Sequence, residues 1–337
     1  MYQILLEVKL MKYKKGLVIG KFMPPHKGHE YLFRFAKQYC DELTIVVDCL
    51  KTQTISSEMR KEWIEELISG VKVIALDEFM PQDPSETSDF WDIWINKLKS
   101  VAGQPDVLIA SMDYGWELSE RLGCDCVQCD VARESIDISA TEIRENPIKN
   151  WKYIVESARG YFLKKICLIG PESTGKSEVS RLLAKEFDTV FVPEYAKALI
   201  DAQKGSFHYH NVSQVAWGQL RAEKALERMT NRFMFCDSDI ITTMAWSEVL
   251  FGSIPDELKE IAKTQKYDHT YLCYPDTTWQ SDSHRNVSER SSEQNFRINM
   301  FNRMEELLKL YNRPYSVIRG NDKEYVISSD INEKYLK

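Results

Sequence analysis

Short apolar runs recur along the chain, and each is followed by a longer stretch whose apolar positions return at helical spacing. In the first half the runs Leu17–Ile19, Leu43–Val47, Val71–Ala75, Val107–Ala110 and Cys126–Val127 read as strands, and Glu30–Tyr39, Glu58–Leu67, Asp89–Val101 and Trp116–Leu122 read as helices. This alternation predicts a parallel sheet with helices on both faces. Trp151–Leu163 is an amphipathic stretch that leads into a second alternation. Its strands are expected at Ile166–Ile169, Val190–Val192, Phe233–Cys236, Thr270–Cys273 and Ser316–Ile318, and its helices include Glu178–Phe187, Val212–Arg232 and Glu293–Leu310. The expected architecture is α/β in two domains, 14–160 and 161–337, after a short arm at 1–13.

At 337 residues, of which 43% are hydrophobic, the chain has the length for two domains and the apolar content for two cores. A formal net charge of −7 argues against a broad nucleic-acid surface, so ligand phosphates must be met by local loops. No run approaches 18 apolar residues, and the expectation is a cytoplasmic protein without membrane or nucleic-acid partners, acting on small molecules, as a homo-oligomer. The eight cysteines fall largely in predicted strands, as expected of reduced thiols. Cys124, Cys126 and Cys129 lack a fourth ligand and paired C-x2-C spacing, so they read as structural. The arm before Met11-Lys-Tyr-Lys-Lys is too short for a DNA-reading domain and is expected to be dispensable.

The most specific signal is Gly170-Pro-Glu172-Ser173-Thr174-Gly175-Lys176-Ser177, a glycine loop between an apolar strand and a helix. It fits G-x-x-x-x-G-K-[ST], in which backbone N–H groups and a helix N-terminus hold phosphate oxygens. Lys176 would neutralise the β- and γ-phosphates, and the Ser177 hydroxyl would ligate Mg2+ brought with ATP. Phe233–Cys236 then ends in Asp237-Ser-Asp239, and such a strand end supplies a metal-side carboxylate, for which Asp237 is the better candidate, or activates a hydroxyl. Glu194, after the preceding strand, suits a sugar hydroxyl or a base, and equally suits a carboxylate at a helix start. Tyr195 and Asp239 are further candidates for substrate contact. The polar stretch Trp279–Arg290 reads as a loop whose Arg285 and Arg290 would close over transferring phosphoryl oxygens, or as a solvated loop.

A second site is expected where the first strand ends, in Gly20-Lys-Phe22-Met-Pro-Pro-His26-Lys27-Gly28-His29. Two histidines three apart with a glycine between them suit donation to a charged transition state, and they also suit a pair of helix-capping surface histidines. Far along the same domain lies Ile138-Ser139-Ala-Thr141-Glu142-Ile-Arg144. Ser139-x-x-Glu142 is a capping box, and the helix start also presents two hydroxyls and an arginine to a leaving pyrophosphate; both readings can hold.

H-x-G-H at the first strand together with I-S-x-T-x-x-R late in the same domain resembles the nucleotidyltransferase superfamily. That resemblance implies a Rossmann-like domain transferring an adenylyl group directly to a phosphate acceptor. His26 and His29 would meet the triphosphate, Lys27, Ser139, Thr141 and Arg144 would hold the outgoing phosphates, and Gly20, Phe22 and Gly28 would line the ATP site. Ser111-x-x-Tyr114-Gly115 and Asp130-x-x-Arg133 resemble the adenylyltransferase half of bifunctional NAD-synthesis proteins. Trp91 and Trp94, with Tyr114, are candidates for a pyridine-ring site, although an i, i+3 tryptophan pair more often belongs to a core.

Both halves in this order resemble the bifunctional nicotinamide-nucleotide adenylyltransferase and ribosylnicotinamide kinase family of the NadR type, without the DNA-binding domain some members carry. The resemblance implies a second, P-loop kinase domain, substrates ATP, nicotinamide mononucleotide and nicotinamide riboside, and NAD as product. The chain departs from the family pattern at Lys197, where arginine is expected after Glu-Tyr-Ala, and at Ser283, where glycine is expected. Rival readings are a coenzyme A pathway adenylyltransferase and kinase, whose first strand ends in a T-G-x-F-D-P-like run where this chain has Gly-Lys-Phe-Met-Pro-Pro, and a non-catalytic sensor of ATP and NAD levels, against which the intact His26, His29, Lys176 and Asp237 speak.

Overall fold

The structure, a computed structural model, describes residues 12–50, 52–277 and 293–337. The chain divides into two compact units, 1–159 and 160–337. The first carries β1 (Tyr13–Gly20), α1 (Lys27–Tyr39), β2 (Cys40–Val47), α2 (Ser57–Leu67), β3 (Lys72–Ala75), α3 (Phe90–Ala102), β4 (Val107–Ala110), α4 (Gly115–Leu122), β5 (Asp125–Gln128) and α5 (Ala140–Glu145), and α6 (Glu156–Phe162) runs from it into the second. Its sheet is parallel, in the order β3-β2-β1-β4-β5. Burial alternates along the strands: Val18, Ile45, Val47 and Ile109 enter one core, and Leu17, Val46 and Leu108 enter the other. Helices therefore cover both faces, as expected for a parallel sheet of continuous apolar strands. The strand order reverses between β1 and β4, so the crevice for a ligand opens beyond Gly20 and Ala110.

The second unit continues with β6 (Lys164–Ile169), α7 (Lys176–Glu186), β7 (Phe191–Val192), α8 (Tyr195–Ala202), α9 (Tyr209–Leu226), β8 (Phe233–Asp237), α10 (Ile240–Phe251), α11 (Asp256–Thr264), β9 (His269–Cys273), α12 (Gln294–Leu310), β10 (Tyr315–Ile318) and α13 (Lys323–Ile331). These strands are also all parallel, ordered β10-β9-β6-β8-β7. The ends of β6, β8 and β9 therefore converge where the order reverses, and they bring Ile169, Asp237 and Cys273 to one edge.

One expected helix and one amphipathic stretch are interrupted in the structure. The stretch expected as Val212–Arg232 ends as an α-helix at Leu226; beyond a single 3-10 turn, the Asn231 side chain donates to the Asp188 carbonyl (3.1 Å), and Arg232 takes a left-handed φ of 64°. The Asn231 backbone N–H donates to Thr189 Oγ1 at 3.0 Å and the Arg232 carbonyl accepts from the Lys164 N–H at 2.9 Å, so these backbone groups are satisfied outside the helix as the chain turns into β8. Trp151–Leu163 is likewise broken, into a 3-10 turn at Trp151–Tyr153 and α6, because Ile154 forms an antiparallel bridge with His26. Just before β5 burial pushes the Cys124 thiol up to about 11, as it does Cys129 just beyond the strand, so both stay protonated.

Ile45 lies in β2 between β1 and β3 with no exposed surface. Ile45→Ala is expected to lower the unfolding free energy of the first unit by about 2–5 kcal/mol, read from urea denaturation; a change within error would mean that this sheet face is not the core.

Candidate active sites

The first site grows from the end of β1. Gly20 has no side chain because a Cβ there would lie 2.7 Å from the Phe22 ring, and Phe22 itself takes a left-handed φ of 45° to fold back over the strand end. Phe22 meets the His29 ring edge-on at 4.9 Å, and His29 stacks on His26 at 3.7 Å between centroids. At Gly28 a Cβ would press on the His26 ring at 3.1 Å, a contact that would shift the ring by a few tenths of an ångström. His26 is the N-cap residue of α1, and its backbone N–H donates to His29 Nδ1 at 3.3 Å. That bond leaves the His29 proton on Nε2. Both imidazoles are neutral: burial, then the nearby Arg133 cation, lowers the buried His26 to about 4, and desolvation of the half-buried His29, with the neighbouring His26 and Arg133, holds it well below its ordinary value.

α5 supplies the opposite wall. Its capping box forms as expected: Ser139 Oγ accepts from the Glu142 N–H at 3.1 Å, and Glu142 accepts from the Ser139 N–H at 2.8 Å. Arg144 donates to the Met23 carbonyl and to Thr141 Oγ1, the latter at 3.0 Å, which ties the helix to the loop after β1. Phe22, His26, His29, Arg133, Ser139, Thr141 and Arg144 line one cavity of about 330 Å3. A second cavity, of about 390 Å3, shares Gly20, Lys21 and Tyr114 with it and extends to Asp48, Gln82, Trp91 and Trp94. Trp94 is buried and donates from Nε1 to the Pro81 carbonyl at 2.9 Å, whereas Trp91 carries the Arg121 guanidinium 4.8 Å from its ring centre. Lys27, by contrast, pairs with Glu30 at 2.8 Å and lines neither cavity.

The second site forms around the loop after β6. Gly170 has a φ of 153°, and a Cβ there would lie 2.7 Å from the Cys273 carbonyl oxygen of β9. Ser173 and Gly175 take left-handed φ values of 57° and 82°, which turn the loop into α7 with the buried Lys176 in its first position. Thr174 donates to the Pro171 carbonyl at 2.9 Å. Arg297, at the start of α12 and 2% exposed, grips the loop from behind: Nε donates to the Glu172 carbonyl at 3.1 Å and Nη2 to that of Ser173 at 3.3 Å.

Asp237 closes the strand end beside Ser177, and its Oδ1 is buried with no hydrogen-bond partner. Burial raises its pKa, against the pull of Lys176 and with a push from Glu194. Lys197 donates to Ser177 Oγ at 3.3 Å, so two lysines flank the carboxylate. Glu172, Glu194, Lys197, Asp239, Trp246 and Phe251 are among the residues lining a cavity of about 340 Å3. Asp239 caps α10 by accepting from the Thr242 N–H at 3.1 Å, keeps a buried Oδ2 without a partner, and is raised by burial to about 6. Tyr195 stands apart from this cavity: its ring covers Gly218 of α9, where a Cβ would lie 2.2 Å away.

Comparison with known proteins agrees with this division. A cytidylyltransferase-like family model matches residues 17–146 and an AAA domain model matches 165–324. The trifunctional NAD biosynthesis/regulator protein NadR of Escherichia coli is 26% identical over 89% of this chain and 78% of its own length. The chain is a homologue of NadR. A nicotinamide-nucleotide adenylyltransferase of Thermococcus onnurineus is 26% identical over 45% of this chain and 83% of its own. A crystal structure of a NadR protein in complex with NR shares the fold over 98% of both chains, with a TM-score of 0.79 at 21% identity.

Relative to the sequence expectations, the H-x-G-H and I-S-A-T-E-I-R residues do come to one cavity, and the glycine loop, Glu194 and Asp237 come to one sheet edge. Trp279, Arg285 and Arg290 lie outside the described residues. Sequence reasoning missed Asp48, Trp246 and Arg297. Arg297 carried a readable signal, because it stands at helical spacing with Met300, Phe301 and Met304, and an arginine on an apolar stripe needs buried acceptors.

The neutral histidines have a consequence for stability. As pH falls from 6.5 towards 4, the unfolded chain binds a proton that folded His26 refuses, so stability falls in that window and the loss is complete below it. A spread of that size corresponds to about 3 kcal/mol, order of magnitude. His26→Asn is expected to remove about 2 kcal/mol or more of the drop in unfolding free energy between pH 7 and 4.5; an unaltered drop in urea denaturation at the two pH values would show that the imidazole is not buried neutral.

Proposed function

We propose that the chain makes NAD in two steps, with nicotinamide riboside phosphorylated at the second site and the resulting mononucleotide adenylylated at the first. The observation that carries the reading is the neutral, stacked His26–His29 pair facing the α5 N-terminus across one cavity, in a homologue of NadR.

At the first site a phosphate oxygen of the mononucleotide attacks the α-phosphorus of ATP. The new P–O bond forms as the bond to the bridging oxygen breaks, and pyrophosphate leaves. His29 Nε2–H and the His26 imidazole donate to the charge that grows on the phosphoryl oxygens, a task for neutral donors already in place and not for nucleophiles. Arg133, Arg144 and the α5 N-terminus take the outgoing charge. The acceptor's pyridine ring occupies the cavity beside Trp91 and Trp94.

At the second site the riboside 5′-hydroxyl attacks the γ-phosphorus of ATP; the new P–O bond forms as the bond to the β,γ-bridging oxygen breaks and ADP leaves, and the hydroxyl proton passes to a carboxylate at the sheet edge, Glu194 or Asp237. Asp239 holds the sugar or base. Ser177 and Asp237 fit a divalent cation of the Mg2+ kind, since they offer hard oxygens and one is buried without a donor. That ion would neutralise phosphate charge. Lys176 and the loop N–H groups hold the β- and γ-phosphates while Arg297 keeps the loop in shape. Arg285 and Arg290 complete the set as phosphate-closing arginines. The substrates are small molecules and the protein works in the cytoplasm.

His29→Ala is expected to lower adenylyl transfer to nicotinamide mononucleotide by ~100-fold or more while kinase activity persists. Near-normal dinucleotide formation by this variant would refute the role of the histidine pair. Lys176→Ala is expected to abolish riboside phosphorylation and spare dinucleotide formation; if the unaltered chain binds ATP yet phosphorylates no riboside, the second unit is a nucleotide sensor.

A further inference from the structure

Lys197 is the third residue of α8, half-buried, and its Nζ donates to Ser177 Oγ at 3.3 Å. Ser177 is the phosphate-loop hydroxyl that fits a divalent cation together with Asp237. Two lysines act on that carboxylate: Lys176 and Lys197 both pull its pKa down, while the buried Glu194 pushes it up. The two differ in what they touch. Lys176 opens α7 beside the loop N–H groups, whereas Lys197 is bonded to the metal-side hydroxyl and also lines the cavity that contains Glu172, Glu194 and Asp239. Lys197 is also a position at which the chain departs from the family pattern, with lysine in place of the arginine expected after Glu-Tyr-Ala.

We propose that Lys197 and the divalent ion compete for Ser177, and that the ammonium the ion displaces moves to the phosphoryl group in transfer; this rests on the kinase reading of the second site. An ion bound to Ser177 Oγ would face the Lys197 ammonium across a single oxygen atom, and two cations that share one small acceptor repel strongly. The ion carries two charges and takes hard oxygens, of which Asp237 supplies a second; the lysine carries one charge and holds the serine by one bond. The ion therefore displaces the lysine when it arrives with ATP. The released ammonium hangs on a flexible four-carbon stem, and the cavity it borders is the one assigned to the riboside. There it donates to the oxygens of the phosphoryl group as that group passes from ADP to the 5′-hydroxyl, and it forms no covalent bond. A guanidinium, with its rigid fork of donors, is less suited to such an exchange of partners.

The test measures Mn2+ binding to the full chain without nucleotide, from the electron paramagnetic resonance signal of the free ion. Lys197→Met, which keeps most of the stem and removes the charge, is expected to tighten binding of one ion by ~10-fold or more. Lys176→Met removes an equal charge beside Asp237 but no bond to Ser177, so it controls for the general effect of charge and is expected to tighten binding by only ~3-fold or less. Adding Asp237→Asn to Lys197→Met should abolish the gain, which locates the ion at this strand end. With Mg2+, ATP and nicotinamide riboside, Lys197→Met is expected to lose ~10-fold or more in kcat while KM for the riboside changes little. Equal tightening by the two lysine variants, no tightening by Lys197→Met, or a gain that survives Asp237→Asn overturns the competition and leaves the kinase reading standing. An undiminished kcat in Lys197→Met overturns the move to the phosphoryl group. If the unaltered chain phosphorylates no riboside, the kinase reading falls and that move with it, whereas the Mn2+ titrations still decide the competition.

Discussion

Close approach of backbone to neighbouring groups at a strand end is the constraint on which both sites depend. At Gly170 the β9 carbonyl of Cys273 occupies the space a Cβ would need, and at Gly20 the Phe22 ring does so. Any larger residue would push the loop away from the sheet edge. In the second unit that would carry the phosphate-binding N–H groups out of line with Lys176. In the first it would dislodge Phe22, and with it the stack that runs from Phe22 through His29 to His26.

The sites then use burial in opposite senses. In the first, low dielectric strips the proton from two imidazoles and leaves neutral donors beside a ring of cations, Arg133 and Arg144. In the second, the same physics raises Asp237 and Asp239, so carboxylates at the sheet edge hold protons more tightly than exposed ones would. In a chain with net charge −7, positive charge at the sites is local: Arg133 and Arg144 line the first cavity, and Lys176 and Lys197 stand at the second.

Supporting residues matter as much as those that face ligand. Arg297 holds two carbonyls of the phosphate loop, Arg60 holds the Lys21 carbonyl beyond β1, and Ile154 bridges His26. Each comes from an element distant in sequence. Each bonds backbone of the loop it supports, which holds that loop in place.

The local sequence by itself determined the two alternating patterns, the β4 strand at Val107–Ala110, the capping box at Ser139 and Glu142, and the glycine loop before Lys176, because these depend on neighbours within a few residues. It also placed the histidine pair at the end of β1, leaving open a pocket-facing and a helix-capping reading; His26 is the N-cap of α1 and both histidines line the cavity. Only the tertiary structure decided that Tyr195 covers Gly218, that Trp94 donates to the Pro81 carbonyl, and that Asp48 is buried against Gln82. Such facts follow from which strand lies beside which and how far each reaches. A local pattern shows that a residue is apolar or charged, but desolvation and the presence of a partner are set by the whole surrounding shell, most of which is contributed by residues far away along the chain.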